Sequence, residues 1–400
     1  MRVLMFGWEF PPLSSGGLGT ACYGLTKGLS NEGVSVSFVL PAAHPDSEYS
    51  HLKIIRAEKG NNIRIRTIDS PMVEYVTVRD YRKGVQRVKR ANNVTSKIYG
   101  EDLFAEVYRY SEAAREIASY EEFDIIHAHD WITYQAGINA KEVSGKPLVV
   151  HVHATEFDRT GGSPNQAVYD LEKAGMEKAD AVIAVSNYTK AMILRHYGIP
   201  GEKVHVVYNA VFHEDAESTF RLGGSEKVVL FLGRITLQKG PEYFLYAAKR
   251  VLDQDSNVRF IMAGAGDMES FIIEKAAELG IGDKVLFTGF LSGGQIRQAY
   301  QMADLFVMPS VSEPFGIAAL EAISNGTPVI ISKQSGVSEV IRHCLTVDFW
   351  DVEQMSNKIL AALNYRTMND HLRTEGAREV RRLTWDSAAQ QCKGVYACLV

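Results

Sequence analysis

Two carboxylates eight residues apart, Glu313 and Glu321, bracket the stretch "EPFGIAALE". Ser312 suits a helix cap, Pro314 a first turn, and Asn325-Gly326 an end, so the pattern predicts a helix with Glu313 just outside its start and Glu321 inside it. Phe315, Gly316 and Ile317 then offer backbone N–H groups without intrahelical partners, an electropositive rim suited to an anion or a ring of hydroxyls. Gly316 permits close approach. Glu321 is flanked by apolar residues, and a buried acid there needs a hydrogen-bonding partner, which a ligand hydroxyl could be. Taken alone, a capping acid and a satisfied helix glutamate explain the stretch equally well.

Two other stretches supply complementary chemistry. In "LGRITLQKG", Arg234 and Lys239 follow a strand and precede a helix, two fixed cations suited to a diphosphate, although solvated surface charges have the same pattern. Near the start, Gly16, Gly17 and Gly19 form a turn that opens a helix and exposes N–H groups to phosphate. Its spacing is not a strict dinucleotide fingerprint, and no Gly-Lys-Ser/Thr makes it a P-loop. A diphosphate held by glycines on one side and cations on the other, with two acids beside it, describes a sugar nucleotide.

The histidines offer a rival. "HAHD" and "HVH" put His127 with His129, and His151 with His153, on common strand faces, where Asp130 could complete a zinc site for a hydrolase. That reading leaves Arg234, Lys239 and both glutamates without a task. A glycosidase would also use two carboxylates, but has no need of the cationic pair and the glycine turn. The Asp-x-Asp spacing of Asp253 and Asp255 falls in a loop before a strand, so it does not read as a cation site.

The elements that must position these groups are legible as alternating strands and helices, the pattern of doubly wound α/β sheets. Strands are expected at "RVLMFGW", "VSVSFVLP", "DIIHAHD", "PLVVHVHA", "DAVIAVS" and "KVHVVYN", and in a second set at "KVVLFLG", "VRFIMAG", "KVLFTGF", "DLFVMPS" and "TPVIIS". Between them, 213–226 loses apolar periodicity and reads as a linker. The expectation is two Rossmann-like domains, 1–212 and 227–385, facing a central cleft, with a helical tail from about 351 whose last part, 386–400, forms its own helix.

Composition agrees: 400 residues, 46% hydrophobic and 23% charged, suit two globular cores. A net charge of −5 gives no global attraction for nucleic acid, and the basic run "YRKGVQRVKR" (81–90) reads as a solvated loop. Cys22, Cys344, Cys392 and Cys398 form no C-x-x-C pair and suggest a reducing cytoplasm. No leader and no membrane-spanning run is expected, which leaves peripheral membrane contact and the oligomeric state open.

These motifs, together with "GGLG", "HAHDW", "HVHATEFDR", "VYNAV", "AGAGD" and "NGTPVI", resemble the retaining glycosyltransferases of GT-B architecture, in the glycogen synthase-like and sucrose-phosphate synthase-like superfamily. The resemblance implies that Glu313 and the amides of Phe315, Gly316 and Ile317 hold the donor sugar, that Glu321 takes the ribose, and that Arg234 and Lys239 neutralise the departing diphosphate. It places Gly16 and Gly17 at phosphate or acceptor, His153 under the transferred sugar, Asp130 and Asn209 at secondary active-site positions, and the base near Gly264 and Leu291. The implied activity is metal-independent, retaining hexosyl transfer to a carbohydrate hydroxyl, glucosyl above others, from UDP-glucose or ADP-glucose and without a cofactor. The C-terminal helix would cross back to the first domain. Ser14-Ser15 stands where bacterial glycogen synthases carry Lys before the glycine pair, which puts polymer synthesis in question; a small-molecule or lipid acceptor and a non-catalytic sugar-nucleotide sensor remain alternatives.

Overall fold

Strands buried on both faces by helices have no solvent side, so they are written as continuous apolar runs, and these runs become parallel sheets in both halves. The computed structural model describes residues 1–11, 16–42, 63–69, 103–213 and 226–400. The basic run 81–90, Ser14-Ser15 and the linker residues 214–225 lie outside the described residues.

The first sheet contains β1 (Arg2–Phe6), β2 (Ser35–Ala42), β3 (Ile63–Asp69), β4 (Ile125–His129), β5 (Leu148–Val152), β6 (Ala181–Ala184) and β7 (Val204–Val206), in the order β3-β2-β1-β4-β5-β6-β7. The second contains β8 (Lys227–Leu232), β9 (Val258–Ala263), β10 (Val285–Gly289), β11 (Leu305–Met308), β12 (Val329–Ser332) and β13 (Leu345–Val347), in the order β10-β9-β8-β11-β12-β13. Every described pairing is parallel. The strand order reverses beside β1 and again beside β8, and a crevice opens outside the carboxyl ends of the strands at such switch points. The α/β GT-B architecture is therefore present: two doubly wound sheets with a cleft between them.

Helices α1 (Gly17–Asn31), α2 (Leu103–Tyr120), α3 (Trp131–Ser144), α4 (Glu156–Thr160), α5 (Gln166–Lys178) and α6 (Asn187–Tyr197) serve the first sheet. Helices α7 (Pro241–Leu252), α8 (Glu269–Glu278), α9 (Gly294–Met302), α10 (Ile317–Ser324), α11 (Val352–Asn364) and α12 (Arg366–Val380) serve the second. The last helix, α13 (Trp385–Ala397), buries Trp385, Ala389, Cys392 and Tyr396 in the first core, against α1. Two glycines of α1 admit it: a Cβ at Gly28 would lie 2.4 Å from the Trp385 carbonyl oxygen, and one at Gly24 would meet the Trp385 ring. One core cluster of the second half also takes in Val185 and Val211 from the first, so apolar packing joins the halves beside the cleft.

The structure differs from the sequence-based expectations in four places. Helix α10 begins at Ile317, and its cap is Gly316, at φ 112°, in place of Ser312. The reason is tertiary: Glu313 bridges to Ser335 in parallel register, which holds 313–315 extended. Strands β3 and β13 are additional; β3 alternates Arg with apolar residues, and β13 is three residues long. The helical tail is interrupted at Tyr365, which leaves the helical region at φ −96°, ψ 90°, and again between Val380 and Trp385. Strands are also shorter than their apolar runs, β1 ending at Phe6 and β11 at Met308.

Candidate active site

The second sheet delivers its charged groups from strand ends that touch. Gly264 has φ 139°, and a Cβ there would lie 1.9 Å from the Gly233 carbonyl, so only glycine lets the ends of β8 and β9 approach this closely. Beyond Gly233 the chain runs through Arg234 into a 3₁₀ turn at Leu237–Lys239, and Gly240, at φ 64°, redirects it into α7. Arg234 Nη2 donates to Gln238 Oε1 at 3.2 Å, which braces the guanidinium at the cleft wall. Lys239 Nζ donates to Glu313 Oε2 at 2.6 Å, and Ser310 Oγ donates to the same oxygen at 2.9 Å. Glu313 is 6% exposed, so its charge is both paired and largely withdrawn from water.

Past Glu313, the turn through Gly316 points the start of α10 into the cleft, where an anion or a polyol can meet its amides. Glu321 follows within that helix and accepts a hydrogen bond from Tyr300 Oη at 3.1 Å. Burial pushes the Glu321 carboxyl up, and the Tyr300 bond draws it part of the way back.

The opposite wall comes from the first sheet: Gly16 and Gly17 at the start of α1, His153 just beyond β5, and Asn209 beyond β7. With Arg234, Lys239, Gly264, Leu291, Glu313, Phe315, Gly316, Ile317 and Glu321, they line one cleft of about 1030 Å³. Thirteen of the fourteen site residues expected from sequence thus meet in one space.

Asp130 is the exception, since it lies behind the wall. It has φ 58°, among the described residues the one positive φ outside glycine, a strained conformation at the junction of β4 and α3. Its Oδ1 accepts from the His153 amide at 2.8 Å, and Arg159 stands 3.7 Å from its Oδ2. Burial pushes the Asp130 carboxyl up to about 6, against the pull of Arg159. Arg159 also donates to the Ala154 carbonyl at 2.7 Å and to Glu172 at 2.8 Å. Asp130 and Arg159 together fix the backbone of His153–Ala154 where it meets the cleft.

The four histidines form a buried column. His127 and His129 stack at 4.4 Å, His151 and His153 at 4.2 Å, and His129 Nδ1 lies 2.9 Å from His153 Nε2. His127 Nδ1 meets Tyr396 Oη of the crossing helix. Donor atoms of His127, His129 and His151 come within 4.8 Å of one another, as do those of Cys22, His129 and His153. The rings of His127, His129 and His151 lie within 31° of one another and those of His129 and His153 at 34°, a near-parallel stack, whereas the ligands of a tetrahedral ion converge from splayed directions. The Asp130 carboxylate faces Arg159 and the 153–154 amides, not the imidazoles. Burial holds all four imidazoles well below the usual range, His127 at about 3, so the column is neutral.

Comparison with known proteins settles the family. Residues 15–215 match the model of Glycosyltransferase Family 4, and 214–379 match Glycosyl transferases group 1. An uncharacterized glycosyltransferase of Methanocaldococcus jannaschii is 30% identical over 99% of this chain and 98% of its own. The chain belongs to the glycosyltransferases. This glycosyltransferase is also 25% identical to a glycogen synthase of Mycobacterium tuberculosis, over 85% of this chain and 80% of that one. It is 28% identical to a D-inositol 3-phosphate glycosyltransferase of Rhodococcus opacus, over 70% and 67%. Its fold matches sucrose-phosphate synthase from Thermosynechococcus elongatus with a TM-score of 0.78, at 21% identity, over 100% of this chain and 98% of that one.

Several residues of this glycosyltransferase site carry no independent signal in the sequence. Gln238 and Ser310 lie within the stretches that contain Arg234 and Glu313, and the i,i+4 and i,i+3 spacings are their faint trace. Tyr300 and Arg159 reach their partners, Glu321 and Asp130, across loops, and nothing local marks them.

Proposed function

We propose that this glycosyltransferase moves a glucosyl group from UDP-glucose or ADP-glucose to a carbohydrate hydroxyl, with retention of configuration and without a metal ion. The observation that carries this reading is the Lys239–Glu313 pair beside the amides that open α10, opposite Gly16, Gly17 and His153. As the bond from C1 of the sugar to the diphosphate oxygen breaks, negative charge collects on the diphosphate, and Lys239 and Arg234 stand at the cleft to stabilise it. Fixed cations and helix-end dipoles supply the electrostatics for which other transferases use a divalent ion.

The acceptor hydroxyl attacks C1 from the face that the diphosphate leaves, and a phosphate oxygen takes its proton. Glu313 orients the sugar hydroxyls and Glu321 the ribose. Asp130 acts through the His153 backbone and is a positioning residue in this scheme. Small phosphorylated polyols form a second acceptor class, favoured by the similarity to the inositol phosphate enzyme. No helix among the described residues is long and apolar enough to cross a membrane, which suits work in the cytoplasm on a dissolved or peripherally held acceptor.

The test is a matrix of UDP-, ADP- and GDP-glucose against maltooligosaccharides and inositol phosphate, run after exhaustive EDTA dialysis. Transfer that survives chelation and yields an α-linked product from an α-linked donor is expected. Loss of activity restored by zinc would overturn the metal-free scheme, and binding of every donor without turnover would identify a sensor.

A further inference from the structure

Glu313 belongs to the second domain, but both of its chain neighbours are held by the first. Ser312 Oγ donates to Asp158 Oδ1 and lies 2.9 Å from Tyr188 Oη. The carbonyl of Pro314 accepts from Ser186 Oγ at 2.6 Å and from Thr189 Oγ1 at 3.2 Å. These groups are buried: Asp158 is 1% exposed, and Ser186 and Thr189 are fully enclosed.

Each first-domain partner is itself fixed. Asp158 closes a capping box, its Oδ2 accepting from the amide and hydroxyl of Thr155 at 2.7 Å, which leaves Oδ1 for Ser312. Ser186 caps α6 by accepting from the Thr189 amide at 2.9 Å while its own proton goes to Pro314. On the far side, Gly336 donates its amide to the Glu313 carbonyl at 2.9 Å, and a Cβ there would lie 2.3 Å from the Pro314 carbonyl and 2.5 Å from the Ser186 Cβ. Glu339 completes the contact by accepting from the amides of Asn187 and Tyr188, at 2.9 and 2.7 Å.

We propose that Asp158 and Ser186 are positioning residues for donor-sugar recognition, gripping the loop on either side of Glu313 from the opposite domain. The inference rests on the reading of Glu313 as the group that holds the sugar. Its physical content is that the Glu313 carboxylate has two independent anchors. Lys239 and Ser310 hold its oxygen, and the cross-domain grip holds its backbone. Buried side chains that hold a loop at both ends reduce the conformations it must lose on binding the sugar.

The experiment compares Ser312→Ala, Asp158→Asn, the double variant and Ser312→Thr with the parent enzyme. Amide hydrogen exchange across 313–317 needs no turnover and reads the loop directly. Faster exchange there in Ser312→Ala and Asp158→Asn, with Ser312→Thr close to the parent, is expected.

In kinetics, kcat/KM for the glucose donor that supports turnover should fall by about tenfold to a hundredfold. Affinity for the corresponding nucleoside diphosphate, which lacks the sugar, should stay within about twofold, and the double variant should be no worse than the weaker single one. Unchanged exchange across 313–317, additive losses, or parallel loss of diphosphate affinity would overturn the grip. Glu313→Ala separates the two readings: if it leaves donor kcat/KM intact, the sugar-holding role fails, whereas if it abolishes turnover and the Asp158 and Ser312 variants do nothing, only the grip fails.

Discussion

Lys239 Nζ stands 2.6 Å from Glu313 Oε2 although 74 residues separate them, so one ion pair ties the loop after β8 to the loop before α10. Under the proposed function, Lys239 would turn to phosphate and Glu313 to sugar hydroxyls when substrate binds. Lys239→Ala is expected to lower kcat/KM by about a hundredfold or more, the scale on which removal of a preorganised charge-stabilising donor is felt. Steady-state kinetics beside a melting curve checks it. A folded variant with near-parental rates would remove Lys239 from the chemistry.

The proposed function divides the donor between the two glutamates. Glu321→Ala should weaken nucleoside diphosphate binding by about tenfold or more, the loss of a hydrogen bond to a charged group, while Glu313→Ala should leave that affinity nearly unchanged and impair turnover of the whole donor. Calorimetric titration with UDP and ADP, set against donor kinetics, distinguishes them. Equal effects of both variants on diphosphate binding would contradict the division.

Stability should fall on acidification from about pH 6.5. Burial lowers the four imidazoles in the folded state, so each takes up a proton on unfolding once the pH drops below the ordinary histidine value. For His127 alone, at about 3 when folded, the loss reaches about 2 kcal/mol by pH 5. Asp130, raised to about 6, and Glu172, raised to about 7, work in the opposite sense: each is protonated when folded and loses its proton on unfolding between the ordinary carboxylate range and its raised value. Four imidazoles outweigh two carboxyls, so denaturant midpoints should rise from pH 5 to 6.5. A flat or falling profile would mean that the column is hydrated or charged.

Gly28→Ala should destabilise the whole protein by about 1–3 kcal/mol, because the added methyl meets the rigid Trp385 backbone and must push α13 from α1. Urea titration measures this. Gly33→Ala tests a different physical cause at the end of α1: a Cβ there would meet nothing within 4 Å, so any cost comes from its φ of 75°.

Much of this protein was determined locally. Continuous apolar runs specified most strands, because a strand covered by helices on both faces admits only apolar side chains, and the glycines at 264 and 316 stand where backbone comes close to its neighbours. Arg234, Lys239 and Glu313 could be singled out because they follow strands at the carboxyl ends of the sheet, where doubly wound folds bind ligands, and Glu321 because it is an acid among the apolar residues of a helix. The tertiary structure decided what those charges touch. It moved the cap of α10 from Ser312 to Gly316 by bridging Glu313 to Ser335, set Asp130 behind His153 on Arg159, and stacked four histidines into a buried column. It also handed Ser312 and Pro314 to partners in the other domain. Hydrogen bonds and ion pairs between residues far apart in sequence depend on how two sheets meet, and the local run of residues holds no record of that meeting.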